Sequence, residues 1–141
     1  MDAQLHTIER AADHGHCPLI SVGPASTLRE AARVLEANAI GAVAVLDGTT
    51  LVGLLSERDV ARALARGADP DVDHTETWMT RSPVTARPDD PILEVALQML
   101  DEGIRHLPLV DAYGRAEGMI SLRDVERPLL LQAMTPPARE G

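Results

Sequence analysis

The stretch Gly53-Leu54-Leu55-Ser56-Glu57-Arg58-Asp59-Val60 returns as Gly118-Met119-Ile120-Ser121-Leu122-Arg123-Asp124-Val125, with five of eight positions identical at an offset of 65. Upstream, Ile20-Ser21-Val22-Gly23-Pro24 aligns with Val84-Thr85-Ala86-Arg87-Pro88 at an offset of 64. Ile40, Val45 and Asp47 align with Ile104, Leu109 and Asp111 at that same offset. One extra residue in the turn after Asp111 accounts for the step from 64 to 65. Register held over this span marks an internal duplication.

Each half reads β-α-β-β-α. A short β-branched strand comes first, Leu19–Val22 or Val84–Ala86. A helix follows over about Thr27–Ala37, with Leu28, Ala31, Ala32 and Leu35 on one stripe. Its counterpart is Pro91–Glu102, where Pro91 suits a helix start. Two hairpins come next, Ala42–Leu46 with Leu51–Leu55 and Leu107–Val110 with Glu117–Ile120. Turns at Asp47-Gly48 and Asp111-Ala112-Tyr113-Gly114 join their strands. A last helix starts after Ser56 or Ser121. The expected division is an N-terminal segment 1–17, a first repeat 18–66, a linker 67–80, a second repeat 81–134 and a tail 135–141. Each repeat has about 60 residues, marginal for an independent core, so the two are expected to pack as one unit.

Composition narrows the function classes. The 141 residues carry a net charge of −9, one Cys and two aromatics, Trp78 and Tyr113; Phe is absent and every basic residue is Arg. The core must be aliphatic, and a site that stacks bases on several rings is excluded. The acidic balance argues against nucleic acid. A single Cys fits a reducing cytosol, and a cytoplasmic protein is expected. Neither a signal peptide nor a membrane span is read from the chain.

Four segments carry further expectations. Between Ile92 and Leu100 only Glu94 and Gln98 are polar, so this helix is expected to be buried on two sides, with a subunit interface favoured over packing on the other half. Leu5, Ile8, Ala11 and Ala12 have helical spacing. Asp13-His14-Gly15-His16-Cys17 bunches metal-ligand side chains without the spacing of a zinc site, and no metal is assigned. Pro128 is expected to kink or stop the last helix, leaving Leu129-Leu130-Leu131 in need of cover. Trp78 reads as packing at the joint between halves.

The duplicated Gly-x-x-Ser-x-Arg-Asp-Val, the linker Gly67-Ala68-Asp69-Pro70-Asp71, the run Met79-Thr80-Arg81-Ser82-Pro83-Val84-Thr85 and Ile104-Arg105-His106-Leu107-Pro108-Leu109-Val110-Asp111 together resemble the cystathionine beta-synthase (CBS) domain pair, or Bateman module. The resemblance covers about Pro18 to Ala133. It implies an α+β fold of two β-α-β-β-α repeats packed with pseudo-twofold symmetry, often as a homodimer. It also implies a regulatory module that binds AMP, ADP, ATP or S-adenosylmethionine in clefts between the halves. No Ser-His-Asp order, P-loop or paired-carboxylate cleft is read from the residues, so no catalysis is expected and no cofactor is assigned.

The repeated motif suits that chemistry. Ser56 and Ser121 stand where a strand meets a helix N-terminus, and free N–H groups there favour an anion. Arg58 and Arg123 are placed to hold phosphate oxygens. The resemblance puts Ser56 and Ser121 near phosphate and Asp59 and Asp124 on ribose. The motif also reads as a capping box, which needs no ligand. The rest of the first pocket would come from Ile20, Ser21, Val22, Gly41, Ala42 and Val43. The second would use Val84, Thr85, Ala86, Arg105, His106, Leu107 and Pro108. Because Arg105-His106 replaces Gly41-Ala42, the clefts are expected to be unequal, the second better suited to phosphates, with Arg58, Arg105 and Arg123 making them locally positive. The alternative is a ligand-free protein–protein interaction or stress-response module.

Overall fold

The computed structural model describes residues 10–13 and 19–134. The first half runs β1 (Ser21–Val22), α1 (Leu28–Asn38), β2 (Ala42–Asp47), β3 (Thr50–Ser56) and α2 (Glu57–Ala65). After the linker come α3 (Thr75–Trp78) and β4 (Thr80–Arg81), then α4 (Ile92–Glu102), β5 (His106–Val110), β6 (Ala116–Ser121) and α5 (Leu122–Met134). The two β-α-β-β-α repeats are present. In the second half the expected strand Val84–Ala86 shrinks to one contact: Ala86 pairs parallel with Leu109, donating to the Pro108 carbonyl at 3.1 Å and accepting from Val110 N–H at 2.8 Å.

The local causes repeat as well. Thr27 caps α1 with a reciprocal box to Glu30. Pro91 is the N-cap of α4, with no side-chain acceptor to offer, and its carbonyl accepts from Val95 N–H at 3.2 Å. Both hairpins slip register at equivalent positions, between Val45 and Leu46 and between Leu109 and Val110. Gly48 and Gly114 take positive φ in the two turns, as tight hairpin connections demand. Two aliphatic cores result. One is built on Leu28, Leu35, Val43, Val45 and Leu55, the other on Ile92, Val95, Met99, Leu107, Leu109 and Ile120.

The halves are joined by an exchange of their leading segments. Thr75 N–H donates to Ser26 O at 2.7 Å and Glu76 N–H to Pro24 O at 3.0 Å. At the equivalent places, Ala11 N–H donates to Asp90 O at 2.9 Å and Ala12 N–H to Pro88 O at 3.1 Å. The segment before each half thus docks on the other half. Thr75 and Ala11 are both fully buried. Thr50 pairs with its own equivalent, Arg115, so a pseudo-twofold axis passes between them. The strand β4 extends the first sheet by pairing with Gly53 and Leu54. Gly53 leaves room there, because a Cβ would collide with the Met79 side chain and stand 3.0 Å from the Thr80 carbonyl oxygen. Trp78 packs on the first core beside Met79.

One expectation changes and one narrows. Pro128 does not stop α5, which runs on to Met134. Its fixed φ is helical, and the one hydrogen bond forfeited is to the Asp124 carbonyl. The helix α4 buries Ile92, Val95, Ala96 and Met99, while Leu93, Leu97 and Leu100 remain 47%, 53% and 61% exposed. The other half of the chain therefore does not cover that face. Leu5 and Ile8 of the expected N-terminal helix, and His14, His16 and Cys17, lie outside the described residues. Among those described, Ala11–Asp13 form one 3-10 turn, and no helix is long and apolar enough to cross a membrane.

Candidate functional site

A cleft of about 1110 Å³ opens between the halves. The first half contributes Ile20, Gly41 and Ala42, the second Arg105, His106, Ser121, Arg123 and Asp124. Residues expected in two separate pockets thus meet in one. The sequence reading missed α1, where Ala32, Leu35 and the exposed Glu36 line the cleft, and it missed Glu57, Val60 and Met119. The signal for Glu57 lay in the repeat itself: it is the position where the second half has Leu122.

The other expected residues are placed elsewhere. Ser21 and Val22 pair with Ala44 and Val45 in the sheet. Val43 and Leu107 are fully buried core, and Ala86 is buried in the second core with Val84 packed against it. Pro108 is buried and Thr85 half-buried. Arg58 is exposed at the start of α2, while Ser56 and Asp59 are engaged with each other.

Both motifs form capping boxes. Asp59 N–H donates to Ser56 Oγ at 3.1 Å, and Ser56 N–H to Asp59 Oδ2 at 2.8 Å. Asp124 N–H donates to Ser121 Oγ at 3.2 Å, and Ser121 N–H to Asp124 Oδ2 at 2.7 Å. The first helical N–H is taken too: Glu57 N–H donates to Gly41 O at 2.9 Å and Leu122 N–H to Arg105 O at 2.7 Å. Of the first three N–H groups of each helix, only that of Arg58 or Arg123 is left for a ligand. The helix ends are thus largely satisfied from within.

The two carboxylates then part company. Asp59 is 8% exposed, and its second oxygen accepts from Arg62 Nη1 at 3.3 Å. Asp124 lines the cleft half-buried, and its Oδ1 has no protein donor among the described residues. That oxygen can accept from an incoming hydroxyl, and the Ser121 hydroxyl proton can be donated to a ligand oxygen.

His106 crosses the cleft. Its Nε2 lies 3.0 Å from where a Cβ on Gly41 would stand, and Glu57 Oε1 lies 3.7 Å from that point. Gly41 is thus the gap into which the imidazole fits. Burial pushes His106 below its ordinary value near 6.5, opposed by the charges of Glu57 and Asp124 and assisted by Arg105. The lining carries four carboxylates, Glu36, Glu57, Asp124 and Glu126, against two guanidiniums, Arg105 and Arg123. The expectation of a locally positive cleft is corrected by this balance. No group of three or more His, Cys, Asp or Glu among the described residues is placed to hold a metal.

The duplicated fold and inter-repeat cleft define a paired regulatory-type module. The family model described as "CBS domain" matches this chain twice, over residues 11–66 and 72–130, and the chain belongs to the CBS domain family. It is 32% identical over 111 residues to an uncharacterized 17.7 kDa protein of Acidianus ambivalens, covering 77% of this chain and 66% of that one. It is also 32% identical over 111 residues to the L-aspartate semialdehyde sulfurtransferase of Methanocaldococcus jannaschii, covering 78% and 21%. The chain spans 21% to 66% of the length of the first curated relatives it matches. Among solved structures, it resembles the CBS domain pair of protein MJ0100 in complex with 5′-methylthioadenosine and S-adenosyl-L-methionine. That match has a TM-score of 0.81 and 30% identity over 89% of this chain and 98% of the other. The CBS domain protein PAE2072 of Pyrobaculum aerophilum, complexed with AMP, matches with a TM-score of 0.80 and 30% identity over 91% and 100%.

Proposed function

We propose that this chain is a regulatory module that binds an adenosine-containing ligand in the cleft between its repeats. The observation that carries the reading is Asp124. It is a half-buried carboxylate held rigid by its cap, with one oxygen turned to no protein donor, in a cleft walled by aliphatic side chains. A fixed carboxylate oxygen suits ribose hydroxyls, and Ile20, Val60 and Met119 offer apolar surface to a purine ring. The adenosyl ligands bound by the structurally similar MJ0100 pair and PAE2072 support the same class. The sites sought at Ser56 and Asp59 have less to offer, because Arg62 takes the free oxygen. A ligand touching both halves biases their relative packing, and so transmits occupancy to a partner surface. Calorimetric titration with AMP, ADP, ATP and S-adenosylmethionine tests this. A saturable heat with at least one is expected, and no heat and no thermal shift with any of them would overturn it.

We further infer a homodimer. Leu93, Leu97 and Leu100 form an exposed apolar row on α4, and Leu130 and Met134 of the packed neighbour α5 are also exposed. Such a patch on a domain this small marks an interaction surface. The same surface supports the second reading, a protein–protein interaction module with an empty cleft. Native mass spectrometry of freshly purified protein separates the two, since it reports subunit number and retained ligand together.

A further inference from the structure

We propose that Glu57 is a specificity-determining residue of this cleft, a built-in anion that favours adenosyl ligands with a neutral or cationic 5′ substituent, such as a thioether or sulfonium, over adenosine di- and triphosphates. The proposal rests on the cleft reading above and adds a charge preference to it. Glu57 is the first residue of α2, whose N-terminus carries the positive end of the helix dipole. A phosphate is the usual guest of such an end; here the chain brings its own carboxylate. Glu57 reaches the cleft beside His106, from the half opposite to Asp124. Among the described residues no ion pair neutralises Glu57, Glu36 or Glu126, whereas Asp59 is paired with Arg62.

The cleft's cationic side is thin by comparison. Arg105 and Arg123 are its guanidiniums; both are exposed, as are Glu36, Glu57 and Glu126, so solvent screens both signs alike and the balance of charges decides. The start of α5 offers one uncommitted N–H among its first three, too few to cradle several phosphate oxygens. Four carboxylates against two guanidiniums leave the lining net negative, and each added phosphate must enter against that field.

The test is a calorimetric titration of the full chain at fixed ionic strength, without magnesium, with 5′-methylthioadenosine, S-adenosylmethionine, AMP and ATP. ATP is expected to bind at least about tenfold more weakly than 5′-methylthioadenosine. Glu57→Leu, which installs the residue found at the equivalent place in the second half, is expected to narrow that ratio by about tenfold, chiefly through tighter ATP. Glu57→Gln, which keeps the shape, is expected to do the same. ATP binding as tightly as 5′-methylthioadenosine in the wild type, or an unchanged ratio in both variants, would overturn the charge preference while leaving the ligand site standing. Binding of none of the four would overturn the ligand site itself and the preference with it.

Discussion

Ser56-Asp59-Arg62 and Ser121-Asp124-Arg127 are the same three residues at the same spacing, yet only the second set leaves a carboxylate oxygen for a ligand. In the first half Arg62 closes on Asp59 at 3.3 Å and the pair is used up. In the second half Asp124 makes no such pair, and it faces a wall borrowed from α1 and α2. A repeated motif therefore guarantees a repeated helix cap, but not a repeated site. What surrounds the motif decides its use: Glu57 against Leu122, and Gly41 against Arg105. The first helices of the halves differ in the same way. The exposed row Arg29, Arg33 and Glu36 of α1 becomes Leu93, Leu97 and Leu100 in α4.

The contrast between the two aspartates is expected to give the largest effect. Asp124→Ala should weaken adenosyl-ligand binding about 100-fold, because it removes the charge-assisted bonds to ribose. Asp59→Ala should leave affinity within about threefold and instead lower stability by about 1–3 kcal/mol, through loss of a buried, doubly bonded cap. Titration calorimetry and denaturant melts read the two effects separately. Equal loss of binding in both variants would break the asymmetry.

The joint between the halves comes next. Gly53→Ala should cost about 1–3 kcal/mol, since the new Cβ collides with Met79 where β4 joins the first sheet. A lowered melting temperature checks it, and Trp78, on the same core, gives a fluorescence readout. Leu97→Glu should convert a dimer to a monomer on size-exclusion chromatography with little change in melting temperature. The equivalent Arg33→Glu should leave the oligomer unchanged.

The smallest effect is on pH dependence. Burial holds the folded-state His106 below the unfolded value, so the unfolded chain binds the proton first as pH falls. This contribution to stability is present above the ordinary histidine value near 6.5 and is lost as pH drops through it toward the lowered one. His106→Gln should flatten the melting temperature between pH 7 and pH 5. Ligand titrations across the same range would show whether Glu57 and Asp124, which both act on His106, tie occupancy to the proton.

Much of this fold was legible because it is written locally and twice. The 64–65 offset, the aliphatic stripes of α1 and α4, the hairpin turns and both capping boxes depend on residues a few positions apart. The exchange of leading segments was not legible, since Thr75 with Ser26 and Ala11 with Asp90 are backbone contacts between distant residues of no special type. Val84–Ala86 has strand-like composition but gains only one sheet partner, so pattern overstated it. For the site, the motif carries Ser121, Arg123 and Asp124 onto the lining of one cleft. It could not tell which of two identical arginine positions would close on its aspartate. Nor could it show that α1 and Glu57 of one half complete the cleft of the other, because that follows from the pseudo-twofold packing.

We propose one competent cleft among the described residues, centred on Asp124. A crystal structure of the full chain grown with saturating S-adenosylmethionine or AMP tests it most directly. A single adenosyl ligand per chain is expected, with ribose hydroxyls on Asp124 Oδ1 and the Asp59–Arg62 pair intact. Ligand seated on Asp59, with Arg62 displaced and the Asp124 cleft empty, would contradict it.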